Sequence, residues 1–184
     1  MAKNNSVRRI ALLSMMIAIA YVGRSLLQVV PNVQPVTVIL IILTLSMGIA
    51  DGLIVAVLSI LISNLTLGMG VWTFAQIISF SVIVLITGLI IKPVYKKMPT
   101  WTMVLYAAST GLIYGLVVSF VMKYLIGFDS FWAYYLMGIP MDLMHAFGNG
   151  AFYAILSPVL FPLIEKNLRM QGYVRTSSND NYHS

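Results

Sequence analysis

Residues 36–67 read VTVILIILTLSMGIADGLIVAVLSILISNLTL, two apolar runs joined at a tight Ala50-Asp51-Gly52 break. Asp51 is the single charged residue of this stretch. A helix that crosses a bilayer needs about 20 mostly apolar residues, so a chain of 184 residues has room for about six such helices and little else. We predict an all-α membrane protein with six transmembrane helices, at Ile10 to Val30, Val36 to Ile49, Leu53 to Leu67, Thr73 to Ile91, Trp101 to Leu125 and Ala133 to Ile164.

The composition of the chain agrees with a membrane solvent. Hydrophobic residues make up 60% and charged residues 9% of the sequence, and the mean hydropathy is +0.93, whereas a soluble domain carries roughly 25% charged residues. The phosphate-loop pattern G-x-x-x-x-G-K-[ST] does not occur, so we expect no ATPase activity from this chain. It contains no cysteine and therefore neither a disulfide nor a thiolate metal site.

Basic residues fall on alternate polar breaks. In a six-helix topology only Arg24 and Lys123 lie on one side, and the other side carries Lys3, Arg8, Arg9, Lys92, Lys96, Lys97, Lys166, Arg169 and Arg175. Because positive charge accumulates in cytoplasmic loops, we predict that both termini are cytoplasmic. The expected organisation is a cytoplasmic N-terminus (1–9), a six-helix transmembrane domain (10–164) and a polar cytoplasmic tail (165–184). We interpret the charge as a determinant of topology rather than as a nucleic-acid surface.

Polar residues cluster in the half of the protein that this topology places outside. In the last span, Asp142, His145 and Asn149 are spaced so that they share one helical face. Such residues either form hydrogen bonds between helices or line a cavity for a polar organic solute, and their bias to one side favours the cavity. The candidate substrate-binding residues are Arg24, Asn32, Gln34, Asn64, Trp72, Gln76, Asp142, His145 and Asn149.

Two of these candidates have alternative interpretations. Arg24 lies near the end of the first span, where it either extends to the lipid headgroups or reaches a group of the ligand. Asp142 and His145 resemble an acid–base pair, but no catalytic motif accompanies them. A metal site needs three or four ligands, and the only other histidine is His183 in the tail. We therefore predict no catalytic residue, no metal site and no cofactor.

Several segments together resemble the substrate-binding S components of energy-coupling factor (ECF) vitamin transporters. They are Val22-Gly23-Arg24, Pro31-Asn32-Val33-Gln34-Pro35-Val36-Thr37, Ser63-Asn64-Leu65, Gly70-Val71-Trp72-Thr73 and Gln76, and the resemblance extends over about residues 8 to 165. It implies a subunit that binds a vitamin from outside, docks on a membrane coupling subunit carrying two ABC-type ATPases, and topples in the membrane to deliver the ligand. ATP is then used only by the partner subunits.

The resemblance also implies a docking surface and a substrate. The family docks through an Ala-x-x-x-Ala pattern on the first helix, and here the matching positions are Ala11, Ser14, Met15 and Ala18, with serine or methionine in place of an alanine. The run PNVQPVT (residues 31–37) and the W-T-x-x-Q pattern most resemble cobalamin-type S components of the bacterial cell membrane. Pantothenate, riboflavin and folate are alternative substrates, and a secondary transporter or an intramembrane enzyme is an alternative class.

Overall fold

The computed structural model describes residues 2–170, with side chains described for residues 6–169. This part of the chain is all-helical, which confirms the predicted all-α class. Residues 171–184, with Arg175 and His183, lie outside it. Six α-helices follow one another: α1 (Ala2–Leu26), α2 (Val36–Met47), α3 (Ile49–Leu67), α4 (Trp72–Ile86), α5 (Thr100–Ile126) and α6 (Phe131–Met170). A π-helical turn (Thr87–Ile91) extends α4, and a 3₁₀ turn (Tyr95–Lys97) precedes α5.

Five of the six helices are long and apolar enough to cross a membrane, and α2 is the exception. Its 12 residues rise about 18 Å, well short of the roughly 30 Å hydrocarbon core. Ten of them, from Val36 to Leu45, are buried, and α2 contacts each of the other five helices. Helix α2 thus forms the centre of the bundle, and its sequence is apolar on all faces, as expected for a fully buried helix.

The break between α2 and α3 lies before the position that we predicted. The chain turns at Gly48, whose φ of 113° is one that residues with a side chain rarely adopt, and Ala50-Asp51-Gly52 lies inside α3. Asp51 is tolerated there because a carboxylate is favourable in the first turn of a helix. Gly52 allows close packing, since a Cβ would collide with the side chain of Thr44. The predicted start of the third span at Leu53 was therefore wrong, because α3 begins at Ile49 and has 19 residues.

The start of α1, the α2–α3 turn, the α4–α5 connection and the end of α6 meet at one end of the bundle, here called the basic end. Arg9 Nε donates a hydrogen bond to Asp51 Oδ1 at 2.9 Å, which joins α1 to α3. Lys92 Nζ donates to the carbonyl oxygen of Thr44 at 3.2 Å, which joins the end of α4 to the end of α2. Partial burial lowers the pKa of Lys92, and the nearby carboxylate of Asp51 opposes this shift.

Helices α5 and α6 form the most extensive helix pair of the bundle. Gly111 and Gly115 lie four residues apart on α5 and face α6, a spacing that lets two membrane helices approach closely. A Cβ at Gly111 would collide with the backbone of Ala146. Helix α6 continues through three prolines and past Ile164, where we predicted the last span to end, as far as Met170.

Candidate functional site

Two neighbouring cavities lie at the end of the bundle opposite the basic end, here called the crevice end. The larger has a volume of about 520 Å³ and lies between α5, α6 and the loop after α1. Its lining is mainly apolar and aromatic and contains one acid: Asn32, Tyr114, Gly115, Val118, Ser119, Tyr134, Met137, Gly138, Met141 and Asp142. We call it the α5–α6 cavity.

The smaller cavity has a volume of about 240 Å³ and is rich in amides. It lies between α1, the loop 27–35 and the facing ends of α3 and α4, and is called here the amide cavity. Its lining residues are Arg24, Leu27, Gln28, Val30, Asn32, Val33, Gln34, Leu67 and Gln76. Four residues that we predicted to bind substrate, Arg24, Asn32, Gln34 and Gln76, thus line one cavity.

Asn32 lines both cavities and forms the boundary between them. Its backbone has a φ of 60°, a left-handed conformation that asparagine tolerates better than most residues. Its side-chain Nδ2 donates a hydrogen bond to the carbonyl oxygen of Met141 at 3.0 Å. This bond fastens the loop after α1 to α6 across the crevice.

Arg24 faces the amide cavity and is held by one hydrogen bond, from its guanidinium to the hydroxyl of Ser63 on α3. Within the described residues Arg24 has no carboxylate partner, because the one ion pair found there joins Arg9 and Asp51. Its guanidinium therefore retains donors that are available to a carbonyl or anionic group in the cavity.

Asn64 lies behind the amide cavity rather than in its lining. It is 1% exposed, and its Nδ2 donates to Thr73 Oγ1 at 2.9 Å and to Gln76 Oε1 at 2.8 Å. These bonds orient Gln76, which does line the cavity. Trp72 is 46% exposed, lies close to Gly70 and lines neither cavity.

Asp142, His145 and Asn149 are all buried and point into the bundle from one face of α6. Asp142 lines the α5–α6 cavity, whereas the other two lie outside both linings. His145 Nε2 is 2.8 Å from Thr37 Oγ1 on α2, and Asn149 Nδ2 donates to Thr110 Oγ1 on α5 at 3.2 Å. Each of the three also has one buried polar atom without a hydrogen-bond partner: Asp142 Oδ2, His145 Nδ1 and Asn149 Oδ1.

Sequence reasoning missed Tyr114. This buried residue lines the α5–α6 cavity, and its ring lies 4.8 Å from the ring of His145, edge to face, and 4.8 Å from that of Phe80. The available signal was the G-x-x-x-G spacing of Gly111 and Gly115, which marks the α5 face that packs on α6. Tyr114 directly precedes the second glycine and so belongs near this contact.

The four predicted docking residues share one face of α1. Ala11, Ser14, Met15 and Ala18 are exposed, whereas the intervening Leu12, Leu13, Met16 and Ile17 are buried in the core. Ser14 also borders a groove of about 320 Å³ between α1 and α3 that is lined mainly by apolar side chains. In the part of the chain that the structure describes, these four positions therefore form an exposed strip on α1, and three of the four side chains are small.

These features define a helical membrane protein with a polar crevice at one end and an exposed strip of mostly small residues on its first helix. Among the described residues, no group of three His, Cys, Asp or Glu side chains is placed to hold a metal ion. The family model of the ECF transporter substrate-specific component matches residues 8–164, so the chain belongs to that family. Searches of curated proteins and of solved structures give no match.

Membership in this family assigns the role of the chain. It is the substrate-binding subunit of an ECF transporter, a transport protein rather than an enzyme, and it works with a membrane coupling subunit and ATPases. The five long apolar helices agree with a multi-pass membrane protein.

Proposed function

We propose that the chain binds cobalamin at the crevice end and delivers it through an ATP-driven importer. The observation that carries this proposal is the convergence of the residues on which the cobalamin resemblance rests. Asn32 and Gln34 come from the PNVQPVT run and Gln76 from the W-T-x-x-Q pattern, and all three line the amide cavity. Residues separated by more than 40 positions in the sequence thus meet in one crevice.

The chemistry of the two cavities suits a corrinoid. A corrinoid presents carboxamides around the rim of a large, mainly apolar macrocycle. The amide cavity offers side chains that both donate to and accept from carboxamides, namely Gln28, Asn32, Gln34 and Gln76. The α5–α6 cavity offers an apolar and aromatic wall that includes Tyr114, Tyr134 and Met137. Asn32 borders both cavities. A ligand that is wider than one cavity would therefore occupy both of them and lie on both sides of this residue.

We further propose that the crevice end faces the outside of a bacterial cell membrane and that both termini are cytoplasmic. Support comes from the charge distribution, since Arg9, Lys92, Lys96 and Arg169 all lie at the basic end. In this orientation the ligand approaches from outside, and docking on the coupling subunit through Ala11, Ser14, Met15 and Ala18 precedes its release inside.

Pantothenate is the second candidate, because Arg24 lines the amide cavity without a carboxylate partner in the described part of the chain. An arginine in this state is suited to a ligand carboxylate, which it binds through two parallel hydrogen bonds.

Isothermal titration of the detergent-purified chain separates these proposals. Cobalamin, pantothenate, riboflavin and folate are titrated in parallel without any ATPase present. We expect tight one-to-one binding of cobalamin alone. Binding of another vitamin would replace the substrate and keep the transport role, whereas tight binding of none of the four would contradict both proposed substrates.

A further inference from the structure

The carboxylate of Asp142 is the most unusual group of the α5–α6 cavity. Asp142 is 5% exposed, and its Oδ2 has no hydrogen-bond partner. A buried carboxylate without partners is costly in a membrane protein, and it persists where a ligand or another group completes it. Asp142 belongs to the lining of the larger cavity. Its Oδ2 is enclosed by the packing, so a bound molecule would reach the carboxylate through Oδ1.

Helix α5 holds this carboxylate in place. Gly115 lies directly against it, so closely that a Cβ at this position would overlap the carboxylate atoms. The side chain therefore cannot move further toward α5, so Oδ2 stays enclosed against that helix and the position of Oδ1 is fixed with it. A donor aimed at this oxygen meets an acceptor whose position is already fixed, which lowers the ordering cost of the contact.

The described part of the chain supplies no cation to neutralise Asp142. Its one ion pair joins Arg9 and Asp51 at the basic end. Arg24 lines the other cavity and is bonded to Ser63. The crevice thus separates a guanidinium on one side of Asn32 from an unpaired carboxylate on the other.

We propose that Asp142 is a specificity residue that accepts an N–H from a carboxamide of the bound ligand and rejects a carboxylate at the same place. This inference rests on the proposed binding of a corrinoid. A carboxamide offers two N–H donors, whereas the corresponding acid is ionised at neutral pH and would face Asp142 as a second negative charge. Juxtaposed like charges are a strong means of excluding a wrong ligand.

The test uses cobalamin and its monocarboxylate derivatives, in which one rim carboxamide is hydrolysed to the acid. The dissociation constant of each is measured by titration at pH 7 for the wild-type chain and for Asp142→Asn, which keeps the shape and removes the charge. Glu165→Gln is the matched control, because it makes the same acid-to-amide change on α6 in a residue that lines a separate cavity at the basic end.

For both the wild type and Glu165→Gln, we expect the dissociation constant of at least one monocarboxylate to be at least about tenfold higher than that of cobalamin. The ratio of the dissociation constant of that monocarboxylate to the dissociation constant of cobalamin should fall to about twofold or less in Asp142→Asn. The reason is that a like-charge contact in a desolvated site costs more free energy than a tenfold change in affinity. The ratio is the readout, so a general loss of affinity in the variant does not affect the conclusion. If Asp142→Asn is not recovered as a monodisperse protein, Asp142→Ser removes the same charge and is measured in its place.

The outcomes separate the two levels of the proposal. A wild type that binds every monocarboxylate as well as cobalamin overturns the role of Asp142 and leaves cobalamin as the substrate. An undiminished ratio in the charge-free variant does the same, since another group then rejects the acid. A wild type that does not bind cobalamin at all overturns the proposed substrate, and the specificity role with it.

Discussion

Asn32 Nδ2 donates a hydrogen bond to the backbone carbonyl of Met141 at 3.0 Å, and this bond ties the loop after α1 to α6 between the two cavities. The two residues are 109 positions apart in the chain. A ligand that spans both cavities, as we propose for cobalamin, would lie against this bond. We therefore expect the bond to slow the opening of the loop for ligand exchange.

Asn32→Gly should speed the release of bound ligand. Glycine tolerates the φ of 60° but cannot donate to Met141. Loss of a hydrogen bond worth about 1 kcal/mol corresponds to roughly a fivefold faster dissociation, which stopped-flow chase of bound cobalamin measures. Val29→Gly is the control, because Val29 is largely exposed on the same loop. Equal dissociation rates in Asn32→Gly and the wild type would show that the bond does not hold the ligand in.

Gln76 and Asn64 should respond differently to truncation, although they are bonded to each other. Gln76→Ala removes a lining residue and should weaken ligand binding by about 1–2 kcal/mol, the scale of a lost polar contact. Asn64→Ala removes one buried and one partly buried hydrogen bond and should first lower the temperature of unfolding. Titration and thermal unfolding of both variants compare the two effects. An Asn64→Ala variant with normal stability and weakened binding would instead make Asn64 a direct ligand contact.

The sequence predicts the number and the approximate location of the helices, although the break between α2 and α3 and the end of α6 differ from the prediction. Long apolar runs locate the helices because a membrane favours such runs, but the predicted third span began at Leu53 instead of Ile49. The spacing of Asp142, His145 and Asn149 correctly indicates one buried face. For α1, the predicted docking residues all fall on the exposed face. In each case the prediction depends only on the pattern of residues within a single helix.

Features that depend on contacts between distant helices could not be predicted in this way. The central position of α2 follows from its contacts with all five other helices, while its sequence shows only an apolar run. Likewise, Gly48 and Gly52 look equally able to break a helix, and only the packing of Gly52 on Thr44 distinguishes them. The spacing of Gly111 and Gly115 marks a helix contact near Tyr114, but the contact of the Tyr114 ring with His145 follows only from the placement of α6 on α5.

Ser14→Trp should block uptake and leave binding intact. Ser14 is exposed on the small-residue face of α1 and borders the groove between α1 and α3, which an indole would fill. Close approach of a partner helix requires small residues, so transport with the coupling subunit and ATPases in proteoliposomes should be lost. Ala154→Trp is the control, an exposed position on α6. Normal uptake by Ser14→Trp would remove this face from the docking surface.

Asp51→Asn should destabilise the basic end. Asp51 is buried in the first turn of α3 and accepts the hydrogen bond of Arg9 from α1. Because Arg9 is partly exposed and can be hydrated, we expect a loss of about 1–3 kcal/mol rather than the larger cost of a fully buried pair. The temperature of unfolding in detergent measures it, with Asp129→Asn in an exposed loop as the control. Equal unfolding temperatures for the two variants would mean that the ion pair adds nothing to stability.

Gly115→Ala should weaken ligand binding by displacing the side chain of Asp142. The added Cβ would overlap the carboxylate, so either the side chain rotates or α5 and α6 separate. Overpacking of this kind costs about 1–3 kcal/mol, and displacement of the only acid in the α5–α6 cavity should lower cobalamin affinity about tenfold. Gly138→Ala is the matched control, because Gly138 lines the same cavity but has open space around its Cβ position. Titration of the two variants side by side is decisive, since a general effect of replacing glycine would appear in both. Undiminished affinity in Gly115→Ala would mean that the position of Asp142 is not critical for binding.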